Sequence, residues 1–147
     1  MSEETTLRLE RLIAAPPERV FDLWTDPGLL VRWWGPVGFD VPALALDVRP
    51  GGRWRTTMRS PDGALHTVSG VYRAVERPRR VVFTLAWEDD AGVRGHETEV
   101  TVTFERAPGG TKLVLLQSEF ENAEGRDRHR YGWSSSFDRL AREAVGS

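Results

Sequence analysis

The sequence contains no cysteine among its 147 residues. Disulfides, thiol nucleophiles, thiolate metal sites and iron–sulfur clusters are therefore excluded. No apolar run approaches the length of about 18 residues that a membrane-spanning helix needs. The N-terminal segment MSEETTLRLERL also lacks a basic region followed by an apolar run of signal-peptide length. We therefore expect a cytoplasmic protein that does not insert into a membrane.

The chain also lacks an excess of positive charge and the common catalytic signatures. Its net charge is −2, which disfavours nucleic acid and anionic membranes as partners. The motifs GxSxG, GxGxxG and HExxH are missing, as is a phosphate-binding loop, so hydrolase, nucleotide-enzyme and metalloprotease activities have no support. We expect no nucleic-acid partner, no metal and no cofactor.

What the sequence does contain is typical of a folded protein. Hydrophobic residues make up 39% of the chain, and six Trp and six Phe are present. A chain of this length buries roughly 68 to 70% of the surface that it exposes when unfolded. We therefore expect one domain that covers residues 1–147.

Hydrophobic periodicity predicts the order of the secondary-structure elements. Residues 5–14 alternate as a strand, and from residue 40 onward period-two segments separated by turn residues predict six more strands. Pro16 and Pro17 can open a helix, and Asp26-Pro27 can start a second short helix that carries Trp33 and Trp34 and ends at Gly35-Pro36.

A long C-terminal helix is predicted from about residue 122 to 145, because Trp133, Phe137, Leu140 and Ala144 recur at helical spacing. Gly132 inside this helix indicates a close approach of its backbone to the sheet or to a ligand. We expect an α+β, helix-grip arrangement, in which a seven-stranded antiparallel sheet curls around the long helix and two short helices lie between strands 1 and 2. A cavity can persist where sheet and helix separate.

Motifs spread over nearly the whole chain support this expectation. They are residues 15–21 (APPERVF), 25–27 (TDP), 32–36 (RWWGP), 47–54 (DVRPGGRW), 62–63 (DG), 70–72 (GVY), 78–80 (PRR), 110–113 (GTKL), 132–133 (GW) and 137–140 (FDRL). In this order they resemble the START-like (SRPBCC, Bet v-type helix-grip) superfamily, and within it the branch of homologues of the activator of the 90-kDa heat-shock protein ATPase. The resemblance implies the helix-grip fold.

The resemblance also implies a ligand pocket between the sheet and the long helix. Aromatic residues and a methionine on the predicted inner faces are the candidate ligand-binding residues, although such stripes also fill ordinary cores. The candidates are Trp33, Trp34, Phe39, Trp54, Met58, Phe83, Trp87, Phe104, Trp133 and Phe137. Because neighbouring helical residues point about 100° apart, only one of Trp33 and Trp34 is expected near the pocket mouth.

Candidate catalytic groups are few. His66 and His96 on predicted strands, His129, and Glu119 could act as bases if they point into the cavity. The alternative is that the histidines are solvated or hydrogen-bonded for structural reasons and that Glu119 faces water. The histidine separations match no zinc signature.

Several functions remain open on this fold. The leading hypothesis is binding of a hydrophobic small molecule that is aromatic, lipid or polyketide-like, without catalysis. One alternative is an enzyme of the polyketide cyclase, aromatase or dehydratase kind, and another is a resistance protein that sequesters an antibiotic. The branch name also leaves a chaperone partner open, although no residue supports it, and the sequence leaves open whether the chain forms a homodimer.

Overall fold

A computed structural model describes residues 5–146 and shows an α+β architecture. The elements follow the order β1 (Leu7–Ile13), α1 (Pro17–Thr25), α2 (Pro27–Leu30), β2 (Asp40–Leu46), β3 (Arg53–Arg59), β4 (Leu65–Glu76), β5 (Arg80–Glu88), β6 (Thr98–Ala107), β7 (Gly110–Ser118) and α3 (Ala123–Val145). The expected helix-grip fold is thus confirmed. No helix within the described range is both long and apolar enough to cross a lipid bilayer.

The seven strands form one antiparallel sheet in the order β1-β7-β6-β5-β4-β3-β2. Strands β2 to β7 are a meander in which each strand pairs with the next along the chain. The first strand closes onto the last, from Leu7 opposite Gln117 to Ile13 opposite Thr111. This pairing brings the N-terminal segment beside the strand that leads into α3, and α3 packs against β1 and α1.

The ends of the helices follow from local chemistry. Pro17 occupies the first turn of α1, where its missing N–H is not needed, and Glu18 complements the positive end of the helix dipole. The side chain of Asn122 accepts a hydrogen bond of 2.8 Å from the backbone N–H of Gly125, which caps the start of α3. The predicted start near residue 122 is therefore correct.

The second short helix is shorter than predicted. It ends at Leu30, and Trp33 and Trp34 lie in the turn that follows, where the N–H of Trp33 donates to the carbonyl of Leu30 at 3.2 Å. A second difference concerns His96, which precedes β6 instead of lying on it. Its imidazole Nε2 bonds to the carbonyl of Glu119, while the neighbouring Gly95 donates its backbone N–H to the carbonyl of Trp87 at 2.8 Å.

The core is centred on the indole of Trp24. Its ring centroid lies between 4.7 and 6.4 Å from six other aromatic rings. Most of these contacts are edge-to-face, the arrangement that aromatic quadrupoles favour. The rings come from the turn after α2, from β5 and β6, and from α3, namely Trp33, Trp34, Phe83, Phe104, Trp133 and Phe137. This cluster joins the helices to the sheet.

A close approach at Gly70 lets one tryptophan reach across the sheet. Trp54 on β3 lies opposite Gly70 on β4, and its indole Nε1 donates to the carbonyl of Thr84 on β5 at 3.0 Å. A Cβ atom built on Gly70 would stand 1.7 Å from that carbonyl oxygen and 2.7 Å from the indole nitrogen. Only glycine fits this position.

We therefore predict that Gly70→Ala lowers the free energy of unfolding by about 3 kcal/mol, because the methyl group must displace backbone. Urea denaturation followed by tryptophan fluorescence measures this change. Gly132→Ala is the matched control, since its new Cβ atom meets no atom of another element within 4 Å. The higher helix propensity of alanine should raise the free energy of unfolding of this variant by about 1 kcal/mol. Equal unfolding midpoints for Gly70→Ala and the wild type would contradict the close approach.

Candidate ligand cavity

A cavity of about 1460 Å³, partly open to solvent, lies between the sheet and the first half of α3. Its walls come from the turn and loop at residues 34–39, from the inner faces of β3, β4 and β5, and from the segment around residue 120. The surface of the lining is mainly apolar, and the apolar side chains that contribute to it include Trp34, Val37, Phe39, Met58, Val68, Leu85, Trp87, Phe120 and Trp133. The cavity also extends over Gly132. Apart from its chain neighbours and the backbone of its own helix, no atom lies within 4 Å of a Cβ atom built on Gly132, so the predicted close approach of this glycine to the sheet does not occur.

The structure divides the ten predicted ligand-binding residues into two groups. Five of them line the cavity, namely Trp34, Phe39, Met58, Trp87 and Trp133. The other five are buried in the core and do not line it, namely Trp33, Trp54, Phe83, Phe104 and Phe137. Strand parity identifies the inner face, but it carries no information on which end of a curled sheet stands away from the helix.

The two neighbouring tryptophans take different positions. Trp33 is fully buried, and its Nε1 donates to the carbonyl of Leu23 at 2.8 Å, which ties the turn to α1. Trp34 lines the cavity, donates from Nε1 to the hydroxyl of Thr56 at 3.0 Å, and sets its ring edge-on to Trp133. Trp33 therefore belongs to the core, and Trp34 forms part of the cavity wall.

A buried glutamine supports the floor of the cavity. Gln117 is fully buried; its Oε1 accepts from the Trp133 indole at 2.8 Å, and its Nε2 donates to the Thr98 hydroxyl at 2.8 Å. Thr98 in turn donates to the carbonyl of Leu85 at 3.3 Å. Sequence reasoning missed this residue, although an amide that shares strand parity with Leu113 and Leu115 is a signal for a buried polar network.

All three histidines line this single cavity. His66 on β4 contacts the Ser60 hydroxyl through Nε2 at 3.2 Å, and its ring packs near Phe39. His96 bonds the Glu119 carbonyl, as described above. The described residues include no group of His, Asp or Glu side chains that could hold a metal ion.

His129 on α3 accepts a hydrogen bond of 3.0 Å from the Trp87 indole, so the Nε2 atom that accepts it is unprotonated. Burial, with a smaller contribution from Arg128, lowers the pKa of His129 from its ordinary 6.5 to about 4. The neutral form therefore favours folding at pH values above 6.5. This contribution to stability is lost as the pH falls from 6.5 toward about 4, because the unfolded chain then binds a proton that the folded protein does not.

Glu119 lies outside the cavity. The residue is exposed, it does not line the cavity, and its backbone has a φ of 70° in the left-handed region. This turn follows the end of β7 at Ser118, so strand parity no longer determines where the side chain points.

A family model described as "Activator of Hsp90 ATPase homolog 1-like protein" matches residues 14–144. The chain belongs to this AHSA1 family. An AHSA1 protein of Silicibacter pomeroyi has 38% identity and a TM-score of 0.86, with 94% of this chain and 96% of that chain covered. A Chromobacterium violaceum protein has 30% identity and a TM-score of 0.87, with 97% and 99% covered. No curated protein matches the sequence.

In this AHSA1 chain one arginine holds the loop at the cavity mouth. Five carbonyl oxygens lie between 3.0 and 3.3 Å from the guanidinium of Arg139 on α3. Those of Trp34, Gly35, Pro36 and Phe39 share the two hydrogens of Nη1, and that of Arg32 accepts from Nη2. Burial lowers the pKa of Arg139 from its ordinary value, and Glu143 opposes that effect. The hydroxyl of Ser135, one turn earlier on the helix, accepts from the Val37 N–H at 2.8 Å.

We predict that Arg139→Gln lowers the free energy of unfolding by about 2 kcal/mol, because several partly buried carbonyls lose a charged donor. Amide hydrogen exchange should also accelerate at Val37, whose N–H donates to the Ser135 hydroxyl on α3, and at Phe39, whose N–H donates to the carbonyl of Pro36. Arg142→Gln, at an exposed position of the same helix, should change stability by less than about 0.5 kcal/mol. Equal effects of the two substitutions would show that the carbonyl contacts of Arg139 contribute nothing.

Proposed function

We propose that the protein binds a neutral hydrophobic small molecule in the cavity between α3 and the sheet. The observation that carries this proposal is the large aromatic-lined space of about 1460 Å³ beside a core that is otherwise filled. Ligand pockets are typically concave, mainly apolar and supplied with a few polar groups, with volumes of about 300 to 1,000 Å³. The space here exceeds that range and admits a molecule of several fused rings or a long acyl chain.

The distribution of charge favours a neutral ligand. Among the polar side chains on the walls, His66, Thr98 and His129 are uncharged when the histidines are neutral. The charged lining residues, Glu121, Glu124, Asp127 and Arg128, are all exposed and lie near the start of α3. Away from this exposed end, an ion inside the cavity would lose hydration without gaining an opposite charge. The interior therefore selects against charged molecules.

The apolar surface of the cavity wall supplies the driving force for binding. Each Å² of apolar surface removed from water contributes about 25 cal/mol, and both the ligand and the wall lose such surface on binding. Because Trp34 and Trp133 are already positioned by hydrogen bonds to Thr56 and Gln117, little side-chain entropy is lost when a ligand packs against them. The cavity is thus prepared for a flat apolar molecule.

We predict that Gly132→Leu narrows the cavity and weakens ligand binding. A leucine at this position projects into open space on the helix, whereas Gly132→Ala adds only one methyl group there. The neutral dye N-phenylnaphthylamine should fluoresce on binding to the wild-type protein, bind about ten-fold more weakly to Gly132→Leu, and bind to Gly132→Ala with little change. A fluorescence titration of the three proteins measures these affinities.

Two results would contradict the binding function. One is the absence of any saturable fluorescence change with the wild-type protein. The other is equal dye affinity in Gly132→Leu and Gly132→Ala, with the folding of both confirmed by circular dichroism, since the dye would then bind elsewhere on the surface.

A second candidate function, proton transfer to and from a bound ketone, is favoured by the surroundings of His66. The Ser60 hydroxyl donates to Asp62, so its oxygen can accept the N–H of His66 Nε2 at 3.2 Å. In the neutral imidazole the Nδ1 atom then carries a lone pair and can act as a base. Removal of a proton from the carbon next to a carbonyl would leave an enolate and an imidazolium that Ser60 helps to orient.

This second function predicts that the protein accelerates deuterium exchange at the α-carbon of a bound aryl ketone such as α-tetralone. Proton NMR in D2O measures the exchange, and His66→Phe should return it to the rate in buffer while N-phenylnaphthylamine still binds. A wild-type rate no faster than that of buffer would contradict a catalytic role and leave the binding function intact.

A further inference from the structure

We propose that His129 selects the ligand by donating a hydrogen bond from Nδ1–H to a carbonyl oxygen, so that the cavity takes neutral aromatic ketones or quinones in preference to hydrocarbons of the same shape. This inference rests on the proposed binding function and names the class of molecule that the cavity takes.

The position of the imidazole proton follows from the partner of His129. An indole nitrogen can only donate, and Trp87 Nε1 lies 3.0 Å from His129 Nε2. Nε2 must therefore offer its lone pair, and a neutral imidazole with an unprotonated Nε2 carries its hydrogen on Nδ1. The contact with Trp87 thus determines the tautomer of His129.

The Nδ1–H group is available to a ligand. His129 lines the cavity, and no hydrogen bond from Nδ1 to a protein atom occurs within residues 5–146. The ring is held in place edge-on by Phe120, with centroids 5.0 Å apart, and by Trp87 at 5.9 Å. A donor in this largely apolar wall gains more from a ligand acceptor than it would in open solvent.

Burial keeps the imidazole neutral. With the pKa of His129 near 4, the ring is uncharged at neutral pH, and the tautomer that Trp87 selects is the one present. A charged imidazolium would have to give up the hydrogen bond from Trp87, because both of its nitrogens donate.

The other two histidines of the chain show the opposite arrangement. His96 uses Nε2 toward the carbonyl of Glu119, and His66 uses Nε2 toward the hydroxyl of Ser60. When each donates in these bonds, its Nδ1 is an acceptor and cannot bind a carbonyl oxygen. Of the three histidines, His129 is therefore the one that offers a free N–H.

The test compares fluorenone with fluorene, which has the same tricyclic frame without the carbonyl. We expect the ratio of their affinities, measured by tryptophan quenching, to shift about five-fold against fluorenone in His129→Phe, which corresponds to about 1 kcal/mol. Arg142→Gln, at an exposed position of α3 outside the cavity, is the control and should leave the ratio unchanged. The infrared carbonyl stretch of bound fluorenone should move to lower frequency in the wild-type protein and return toward its apolar-solvent value in His129→Phe.

The tautomer is tested independently by two-bond hydrogen–nitrogen NMR correlations of His129 in the free protein. We expect the signature of protonated Nδ1 and unprotonated Nε2. A proton on Nε2, or an affinity ratio that His129→Phe leaves unchanged, would overturn the proposal. An equal shift in Arg142→Gln would also overturn it. If both tricyclic molecules bind and His129→Phe leaves their affinity ratio unchanged, the role of His129 is contradicted and the binding function stands. If the wild-type protein binds neither compound, both the role of His129 and the binding function are contradicted.

Discussion

The cavity depends on one constraint, the gathering of backbone carbonyls around the guanidinium of Arg139. The segment at residues 32–39 has no strand or long helix to satisfy its carbonyl groups, and α3 supplies a planar fork of donors that reaches five of them. Because the same helix forms one wall of the cavity, the loop and the wall are held in fixed relation. Trp34 and Phe39 face the cavity at the positions that this contact sets.

The packing between α3 and the sheet differs between the two halves of the helix. At its C-terminal half, Phe137 and Leu140 pack into the core around Trp24. At its N-terminal half the helix stands away from the sheet, and side chains bridge the gap, namely the bond between Trp133 and Gln117 and the bond between His129 and Trp87. A filled core at one end gives the stability that an open cavity at the other end would otherwise reduce. The two bridges are polar contacts between side chains of the cavity wall and the sheet.

The sequence predicted the fold well and the site in part. The strand alternation, the start of α3 at Asn122 and the motifs of the family all depend on residues that are close in the chain, so local rules were sufficient. The ten aromatic and methionine candidates share an inward face, and five of them fill the core because the curvature of the sheet brings them against the helices. The short helix ended before Trp33, since the backbone there is held by a tight turn and by Arg139.

The amino-acid sequence by itself determined the order of the elements, the inward faces and membership of the AHSA1 family, because periodicity, turn residues and family motifs are properties of neighbouring positions. Only the tertiary structure decided that Trp33 is core and Trp34 is cavity wall, that Gln117 braces Trp133, and that the three histidines meet in one space. These relations join residues up to about a hundred positions apart along the chain, such as Trp34 and Trp133. They arise because the curled sheet and the N-terminal half of α3 stand apart. No local sequence pattern encodes this separation.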